Sequence, residues 1–524
     1  MLRHLLPLAL SAIFLIAGNA HALSAGEAFR MASGDTDERV AAINRAVSAP
    51  DARTADYLRA LADDEVRTAG ERAFVVRGER ATDPATGEPA TLPADAEEVV
   101  NNNRMRGEID AAIASLELLS PDAAVRRKAV DTLQEATDPA RLPLIDKALA
   151  GERDAGIRTR LEVARARILL SSEDRAQRIA AAGQMAGSGD PLSKTALIER
   201  LREETDPQAK AAMESALRAV EDRLAWGDRL GQAFSGISLG SILLLVALGL
   251  AITYGLMGVI NMAHGELMMI GAYATYLVQG LFQKYLPGAF DWYLVAAVPA
   301  AFLASALVGA AMERSVIRFL YGRPLETLLA TWGISLVLMQ LVRSLFGAQN
   351  VGVENPSWMS GGVQVLGNLQ LPWNRIVIVA FAAAVLLGMA FLIGRTRLGL
   401  FVRGVTQNRP MAACMGVNTA RIDTYAFALG SGIAGLAGCA LSQVGNVGPD
   451  LGQGYIVDAF MVVVTGGVGQ LAGTVYAALG LGILNKLLEG WTGAVLAKIA
   501  VLVCIIVFIQ KRPQGIFAMK GREA

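Results

Sequence analysis

Residues 237–256 read ISLGSILLLVALGLAITYGL, twenty consecutive positions without a charged side chain. A hydrocarbon core about 30 Å thick requires about 20 apolar residues of a spanning helix. The chain then turns polar at Asn261-Met262-Ala263-His264-Gly265-Glu266. This order predicts a membrane helix that leads directly into a cluster of polar side chains.

The rest of the 524-residue chain has two different compositions on either side of residue 230. Residues 1–230 carry 31 Lys+Arg and 38 Asp+Glu, whereas residues 231–524 carry only 17 and 10. The first composition is typical of a soluble region and the second of a membrane region. A single large soluble enzyme is therefore excluded. A nucleic-acid binder is excluded as well, because no basic stripe remains once the arginines that flank the membrane are set aside.

Eight apolar windows follow one another in the second region, and most have the length of a spanning helix. They are 237–256, 262–282, 294–312, 327–346, 376–394, 424–443, 459–485 and 492–510. Basic residues concentrate in the loops 313–326 and 395–423, whereas 444–458 has none. The excess of Lys and Arg in cytoplasmic loops predicts that the two arginine-rich loops face the cytosol.

One window cannot be a simple crossing. Eight crossings that start outside would leave the basic residues after residue 510 outside as well, against the same rule. The long window 459–485 contains Gly466, Gly467 and Gly469. A helix broken at membrane depth indicates a translocation path, because the freed backbone groups need protein or water around them. Close approach of neighbouring helices is the alternative explanation of these glycines.

The N-terminal region carries the features of an exported domain. Residues 1–22 combine a basic start, a short apolar run and small residues before a cleavage point, which predicts an export signal. An uncleaved anchor is the alternative. In either case residues 23–230 are expected outside the inner membrane.

A duplication lies within this exported region. Asp122, Asp138 and Asp154 recur 52 residues later as Asp174, Asp190 and Asp206. Each Asp is followed by apolar positions at helical spacing, as expected of an N-cap before an amphipathic helix. The pattern predicts paired helices that resemble HEAT-type repeats. Residues 76–108, rich in Gly and Pro, are interpreted as a polar connector or hairpin. The fold class predicted for the whole chain is therefore all-α, a polytopic helix bundle preceded by a helical-repeat domain.

The sequence offers no constellation for catalysis. No Gly-Lys pair occurs, so a phosphate-binding P-loop is absent from the sequence. His264 is the only histidine after residue 22, which leaves no multi-histidine metal site and no Ser/His/Asp triad. An enzyme, a metal site and a bound cofactor are therefore not expected.

Polar side chains at membrane depth are the remaining candidates. Ionisable groups there are costly and usually face a bundle interior or a wet cavity. Asn261, His264, Glu266 and Asp458, together with the three glycines of the broken window, are the predicted path residues. The alternative is that the polar groups bond to backbone at the interface and act structurally.

The loop 395–423 contains a second candidate site. Within it, a short run of small residues ends at a glycine and lies among arginines, which favours a helix that docks into a groove of a cytoplasmic partner. The predicted contact residues are Asn408, Ala412, Ala413 and Gly416.

These motifs resemble a known family. Asn408, Ala412-Ala413 and Gly416-Val417 are similar to the Ala-Ala-x-x-x-Gly coupling loop of bacterial ABC importer permeases. The segments 236–241 and 258–273, the glycine break and residues 512–517 (RPQGIF) are similar to the branched-chain amino acid permease family. The likeness covers essentially all of 231–524. The long exported domain and the closing RPQGIF also resemble the urea-importing branch of that family.

The resemblance implies an importer of several subunits in the bacterial inner membrane. In it, a periplasmic binding protein delivers substrate to two homologous permeases, and two cytoplasmic ATPases that bind the ATP drive the cycle. This chain is expected to be one permease, with urea as substrate and branched-chain amino acids as the close competitor. An ATP-independent urea or amide channel and a receptor with an exported sensor are the rivals from other classes.

Overall fold

The computed structural model describes residues 23–48, 51–78, 80–133, 138–258 and 260–517. The predicted export signal, 1–22, lies outside the described residues. The chain is mostly helical, at 74%, and divides into two units, Met1–Ala225 and Trp226–Ala524. The predicted domain boundary at residue 230 lies five positions from this division.

The N-terminal unit begins with helices around a small sheet. Helices α1 to α3 come first, strands β1 to β5 follow, and α4 closes the layer. Their bounds are α1 Ala25–Ala32, α2 Thr36–Ser48, α3 Ala52–Ala62, β1 Val66–Ala69, β2 Arg72–Arg77, β3 Arg80–Thr82, β4 Pro89–Ala90, β5 Glu97–Glu98 and α4 Asn103–Glu117. The strands pair antiparallel in the order β4-β3-β2-β1-β5. Met31, Ile43 and Leu58 are fully buried in the core of this layer.

The prediction of an all-α chain is therefore wrong. Strand β2 contributes Ala73, Phe74 and Val75 as three consecutive buried residues instead of an alternation. The other strands have two to four residues, too short for the alternation that identifies a strand in a sequence. Gly70 and Gly78 adopt φ of 59° and 62° and form the tight turns between strands.

The 52-residue spacing of the sequence is present in the helices that follow. Helices α5 (Ala123–Leu133) and α8 (Arg175–Met185) begin and end 52 residues apart. The same offset relates the starts of α7 (Ala155–Leu169) and α10 (Pro207–Met257). Between them, a 3-10 turn with α6 (Leu142–Gly151) corresponds to α9 (Pro191–Glu203). The assignment of these helices to the HEAT type stays a prediction.

An ion pair at the same position stabilises each copy. The Nε of Arg126 lies 2.8 Å from Glu152 Oε2, and the Nε of Arg178 lies 2.8 Å from Glu204 Oε2. Both arginines also donate Nη1 to a backbone carbonyl, of Ser120 at 2.9 Å and of Ser172 at 3.0 Å. The duplication therefore includes this ion pair and its backbone hydrogen bond as well as the apolar core.

The second unit is a bundle of long helices. After the end of α10, its elements are α11 His264–Tyr285, α12 Tyr293–Ser315, α13 Pro324–Phe346, β6 Gly362–Leu366, β7 Leu369–Pro372, α14 Trp373–Arg395, α15 Arg397–Gln407, α16 Arg409–Cys414, α17 Thr419–Ser442, α18 Leu451–Gly466, α19 Leu471–Thr492 and α20 Ala494–Lys511. Strands β6 and β7 form an antiparallel hairpin between α13 and α14.

Seven helices of the described residues are long and apolar enough to cross a membrane, against the eight windows predicted. They are α10 to Gly255, α12 with the turn before it, α13, α14, α17, α19 and α20. Helix α18 has only 16 residues. Helix α11, predicted as the window 262–282, is not among the seven, because His264, Glu266, Gln279 and Lys284 lower its hydropathy.

The predicted break in 459–485 is confirmed. Helix α18 ends at Gly466 and α19 begins at Leu471, and Gly467 and Gly469 between them have φ of 98° and 77°. These left-handed conformations favour glycine. A Cβ at Gly466 would lie 2.6 Å from the carbonyl oxygen of Gly473, so close backbone approach, the alternative explanation, also applies to this residue.

Glycine-mediated backbone contacts set the geometry of the bundle core. A Cβ on Gly271 of α11 would lie 2.2 Å from the carbonyl oxygen of Gly435 on α17. A Cβ on Gly438 would lie 2.0 Å from the carbonyl oxygen of Met268. Helices in lipid gain stability from such close approach, because lipid chains are as apolar as the side chains. Helices α11 and α17 therefore meet along a line of glycines.

Candidate translocation path and coupling surface

The turn between α10 and α11 places the predicted polar residues in the interior. Gly258 adopts φ of 64° just after the end of α10. The Oδ1 of Asn261 accepts the backbone N–H of Ala263 at 3.0 Å, which closes the turn. Asn261 and His264 are 0% exposed and Glu266 is 1% exposed. The structure thus brings these three predicted residues into one buried turn.

The imidazole of His264 packs against α10. Its Nε2 lies 3.1 Å from the carbonyl oxygen of Val246 on α10. A carbonyl only accepts, so this contact assigns the proton to Nε2. A Cβ at Gly249 would lie 3.0 Å from the imidazole and 2.4 Å from the carbonyl oxygen of Gly430. Any larger residue at position 249 would therefore collide with the ring of His264 and with the backbone of α17.

One carboxyl oxygen of Glu266 accepts a hydrogen bond and the other is left open for a further partner. Its Oε1 accepts the hydroxyl of Ser335 on α13 at 2.9 Å, whereas its Oε2 and the Nδ2 of Asn261 have no hydrogen-bond partner within the part of the chain that the structure describes. Buried polar atoms are rarely left without partners, and each such atom is a position where water or a ligand group is expected. The open atoms therefore make this turn the strongest candidate for contact with a substrate.

Helix α13 supplies residues that the sequence analysis missed. The Oγ1 of Thr331 accepts the backbone N–H of Met262 at 3.2 Å, and Ser335 donates to Glu266 one helical turn further on. Thr327, Thr331 and Ser335 are all buried. Their spacing of four residues within an apolar window was the available signal, because it places three hydroxyls on one face of the helix.

Helix α18 begins beside the same turn. A Cβ at Gly265 would lie 2.3 Å from the carbonyl oxygen of Gly452 in the first turn of α18. The first turn of this short helix therefore packs against the Asn261–Glu266 turn through its backbone.

Asp458 lies on α18 and pairs with a residue that the sequence analysis assigned to no site. Its Oδ2 is 3.2 Å from the Nζ of Lys498 on α20, and the same Nζ donates to the carbonyl oxygen of Gly454 at 3.3 Å. The Lys498 side chain is 52% exposed and that of Asp458 is 11% exposed. Because lipid is a poor environment for a charge, the exposed ammonium group of Lys498 is expected to face protein or water.

The glycine break is in contact with residues 515–517. The backbone N–H of Ile516 donates to the carbonyl oxygen of Thr465 at 2.8 Å. A Cβ at Gly467 would lie 2.4 Å from the carbonyl oxygen of Phe517, and the ring of Phe517 stacks on Tyr476 with 5.9 Å between centroids. Gly466, Gly467 and Gly469 thus fit a packed turn, which supports a structural role for them.

The predicted coupling segment forms a short exposed helix, α16. The Oδ1 of Asn408 accepts the backbone N–H of Met411 at 3.0 Å, so Asn408 is its N-cap. Gly416, with φ of 83°, ends the segment, and its N–H donates to the carbonyl oxygen of Ala413 at 3.0 Å. Ala412 is half-buried against the core, whereas Met411 and Met415 are 60% and 78% exposed. Together with exposed Ala413 they form an apolar surface, which we call the coupling surface.

Comparison with known proteins adds an independent finding. The profile of the family described as branched-chain amino acid transport system / permease component matches residues 232–510. The chain is 29% identical over 297 residues to the high-affinity branched-chain amino acid transport system permease protein LivH of Escherichia coli (strain K12), over 55% of this chain and 94% of that protein. It is 27% identical over 293 residues to BraD, the corresponding permease protein of Pseudomonas aeruginosa, over 55% and 95%.

A shorter match links the chain to a sugar transporter. It is 28% identical over 143 residues to the ribose import permease protein RbsC of Escherichia coli (strain K12), over 26% of this chain and 38% of that protein. No solved structure matches. The matched family profile covers more than half of the chain and the seven spanning-type helices support a multi-pass inner membrane protein. The chain therefore belongs to the family of branched-chain amino acid transport system permease components.

Proposed function

We propose that this chain is the permease subunit of an importer driven by cytoplasmic ATPases of the ATP-binding-cassette type. The coupling surface is the observation that carries the proposal. It is a capped helix with exposed Met411 and Met415 in the most arginine-rich loop of the second unit. A flexible apolar residue adapts to the groove of a partner, and arginines are common at interfaces. In this proposal, the surface docks one of the two ATPase subunits.

The proposed topology follows from the number of helices. If α10 to α14 and α17 to α20 each cross the membrane, the number of crossings is nine. Because this number is odd, the two ends of the unit lie on opposite sides of the membrane. The arginine-rich loops and the basic residues after α20 are then cytoplasmic, in agreement with the positive-inside rule. Residues 23–230 are then periplasmic, where a substrate-binding protein delivers its ligand.

The proposed mechanism is alternating access. ATP binding by the partners moves α16, and the bundle changes from an outward-facing to an inward-facing cavity. The Asn261–Glu266 turn and the start of α18 line the path in this proposal. The half-exposed side chain of Lys498, paired with the largely buried Asp458, faces water in the path or the second, homologous permease rather than lipid.

Urea is the proposed substrate. It is small, neutral and able to form several hydrogen bonds, so its path needs polar groups without a fixed ionic clamp. Among the described residues, the open atoms of the Asn261–Glu266 turn belong to an amide, an imidazole and a carboxyl group: Asn261 Nδ2, His264 Nδ1 and Glu266 Oε2. The charge of Asp458 is already paired with Lys498. These features favour a neutral amide over a zwitterion.

Branched-chain amino acids are the second candidate. The observation in their favour is the printed function of LivH and BraD, which match almost over their full lengths. Identities of 27–29% are compatible with a change of substrate within a family.

Transport by the reconstituted complex tests the proposal. The complex of this chain with its co-purifying permease, ATPases and binding protein is placed in proteoliposomes, and uptake of radiolabelled urea and leucine is measured with and without ATP. We expect urea uptake that requires ATP. ATP-dependent uptake of leucine without uptake of urea would identify branched-chain amino acids as the substrate instead. ATP-independent flux through the purified chain would identify a channel, and no uptake of either compound by the complete complex would favour a receptor.

A further inference from the structure

Four charged side chains meet where the helices α12 and α17 approach the coupling surface. Glu313, near the end of α12, is 1% exposed. Its Oε2 accepts the hydroxyl of Thr424 at 2.6 Å and lies 3.4 Å from Nη2 of Arg318. A buried carboxylate is tolerated only when charges and hydrogen bonds compensate it. Glu313 is therefore fixed to α17 and to the turn that follows α12.

Arg409 connects the coupling surface to this group. It is the first residue of α16, and its Nη2 forms an ion pair with Oδ2 of Asp423, the residue before Thr424 on α17. Its guanidinium also lies over the ring of Tyr321, with 4.2 Å to the centroid. Cation–π contact and a charge-assisted hydrogen bond thus hold the same group from two sides. Arg409, Asp423, Arg318 and Glu313 form a cluster without net charge, which we call the inner cluster.

The remaining contacts of α16 with the bundle are apolar and small. Ala412 of α16 and Val417 just after the helix are half-buried against the core, whereas Met411, Ala413 and the C-cap residue Met415 are exposed. Contacts of this kind allow sliding, because dispersion forces have no preferred direction. The pair of Arg409 and Asp423 is directional and attaches α16 to one defined position on α17.

We infer that the pair of Arg409 and Asp423 is the joint through which a displacement of α16 reaches α17 and, through the inner cluster, α12. The inference rests on the proposed function, since it assigns the residues that transmit the motion imposed by the ATPases. Arg409 and Asp423 are positioning residues, since neither needs to touch substrate or nucleotide. Without the joint, α16 can move while α17 and α12 stay in place. ATP hydrolysis would then continue without transport.

The ratio of transport to ATP hydrolysis tests this inference. In proteoliposomes containing the whole complex, Arg409→Gln and Asp423→Asn are expected to lower the amount of urea, or of leucine, imported per ATP by roughly 2- to 30-fold, the range of single-residue effects on coupling between sites. The ATPase rate should stay near the wild-type value. A structural defect would instead lower both rates together with the amount of assembled complex.

Arg323→Gln is the matched control. Arg323 forms an exposed ion pair with Glu326 outside the loop of the coupling surface, at 3.0 Å with side chains 65% and 57% exposed, so loss of its charge should leave the ratio unchanged. The double variant Arg409→Gln/Asp423→Asn provides a second measurement. Two residues that act as one pair are non-additive, and the double variant should be no worse than either single variant.

Variants of Tyr321 test the same inference if a charge variant fails to assemble. Its side chain is 41% exposed, so replacement should not unfold the bundle. Tyr321→Phe keeps an aromatic ring beneath Arg409 and should retain coupling, whereas Tyr321→Leu should lower the ratio.

The outcomes distinguish a failure of the proposed function from a failure of the joint. If the wild-type complex shows no ATP-dependent uptake, the proposed function fails. If the wild type transports and Arg409→Gln, Asp423→Asn and Tyr321→Leu all keep the wild-type ratio, the joint is wrong while the importer stands. Additive losses in the double variant would also overturn the joint.

Discussion

The two units of this chain hold their helices together by different means. In the N-terminal unit, the helical glycines Gly107 and Gly183 have nothing within 4 Å of a Cβ position. In the second unit, Gly271 and Gly438 face backbone atoms of a neighbouring helix at 2.2 Å and 2.0 Å. The N-terminal helices instead use side chains, the Arg–Glu pairs and the aspartate caps of each repeat.

This difference reflects the surroundings expected for each unit. In water, apolar side chains stabilise a helix pair by leaving the solvent, and charged side chains at the rim add specificity. In lipid that driving force between helices is absent, so close contact of backbones takes its place. Glycine is therefore replaceable at positions such as Gly107 and Gly183 of the first unit and structural at Gly271 and Gly438 of the second. The repeat helices of the first unit are joined by Arg–Glu pairs instead.

Two glycines with positive φ give the largest expected contrast. Gly416 just after α16 and Gly78 in the β2–β3 turn have φ of 83° and 62°. No heavy atom lies within 4 Å of the position that a Cβ would take at either glycine. Both positions therefore impose similar backbone strain on an aspartate. We expect Gly416→Asp to abolish ATP-dependent uptake, because it also adds a charge to the coupling surface. Gly78→Asp should transport normally.

Membrane insertion of both variants is checked by their amount in washed membranes. Unimpaired uptake by inserted Gly416→Asp would show that the coupling surface does not contact the ATPases.

A core glycine and a surface glycine give the second contrast. Gly271→Ala should destabilise the second unit by about 3 kcal/mol, the upper end for overpacking a core, because its new methyl group meets backbone. Thermal unfolding followed by tryptophan fluorescence measures this effect, since all six tryptophans lie at or after Trp226. Gly183→Ala should stabilise the N-terminal unit by about 0.5–1 kcal/mol, the difference in helix propensity. Equal and small effects at both positions would refute the comparison.

The buried ion pair of the repeat predicts a dependence on pH. The hydrogen bond from Arg126 lowers the pKa of Glu152 to about 2. A lowered carboxyl pKa contributes stability above the unfolded value of about 4.3, and this contribution is lost as the pH falls toward 2. Glu152→Gln should therefore make residues 23–225 more sensitive to protease at pH 7, and the difference from wild type should shrink below about pH 4.3.

Glu162 supplies the control for this prediction. It pairs with Arg158 at 3.3 Å while 49% exposed, and exposed pairs contribute little. Glu162→Gln should match the wild type at every pH. A Glu152→Gln variant that does the same would show that the repeated pair is dispensable.

The smallest expected effect concerns a helix cap. Asp174 accepts the backbone N–H of Ala176 at the start of α8. Asp174→Ala should destabilise the N-terminal unit by about 1 kcal/mol, whereas Asp174→Asn keeps a capping oxygen and should be near neutral. Pulse proteolysis of the full chain measures both. Indistinguishable Ala and Asn variants would contradict a capping role.

Much of the fold could be predicted because its signals are local in the sequence. Uncharged stretches marked most of the spanning helices, and a run of glycines marked the break between α18 and α19. The offset of 52 residues marked the starts of the corresponding repeat helices. The small sheet escaped prediction, because its strands are short and carry no alternation, and α11 was taken for an ordinary apolar window.

The candidate site could be predicted only in part. Asn261, His264 and Glu266 were identifiable as polar residues beside an apolar stretch, and they do share one buried turn. Ser335 and Lys498 were not assigned, because their partners lie 69 and 40 residues away in the chain. The pairing of Lys498 with Asp458 became visible only in the fold.

The sequence by itself determined that this chain is a membrane protein with a charged N-terminal region, and which segments are broken or duplicated. Those properties depend on composition and local order, which act through solvation and helix geometry residue by residue. The tertiary structure alone decided that Gly271 meets Gly435, that Glu266 is reached by α13 and that Arg409 is joined to Asp423. Such contacts link residues distant in the chain, and they form only when several helices are packed together.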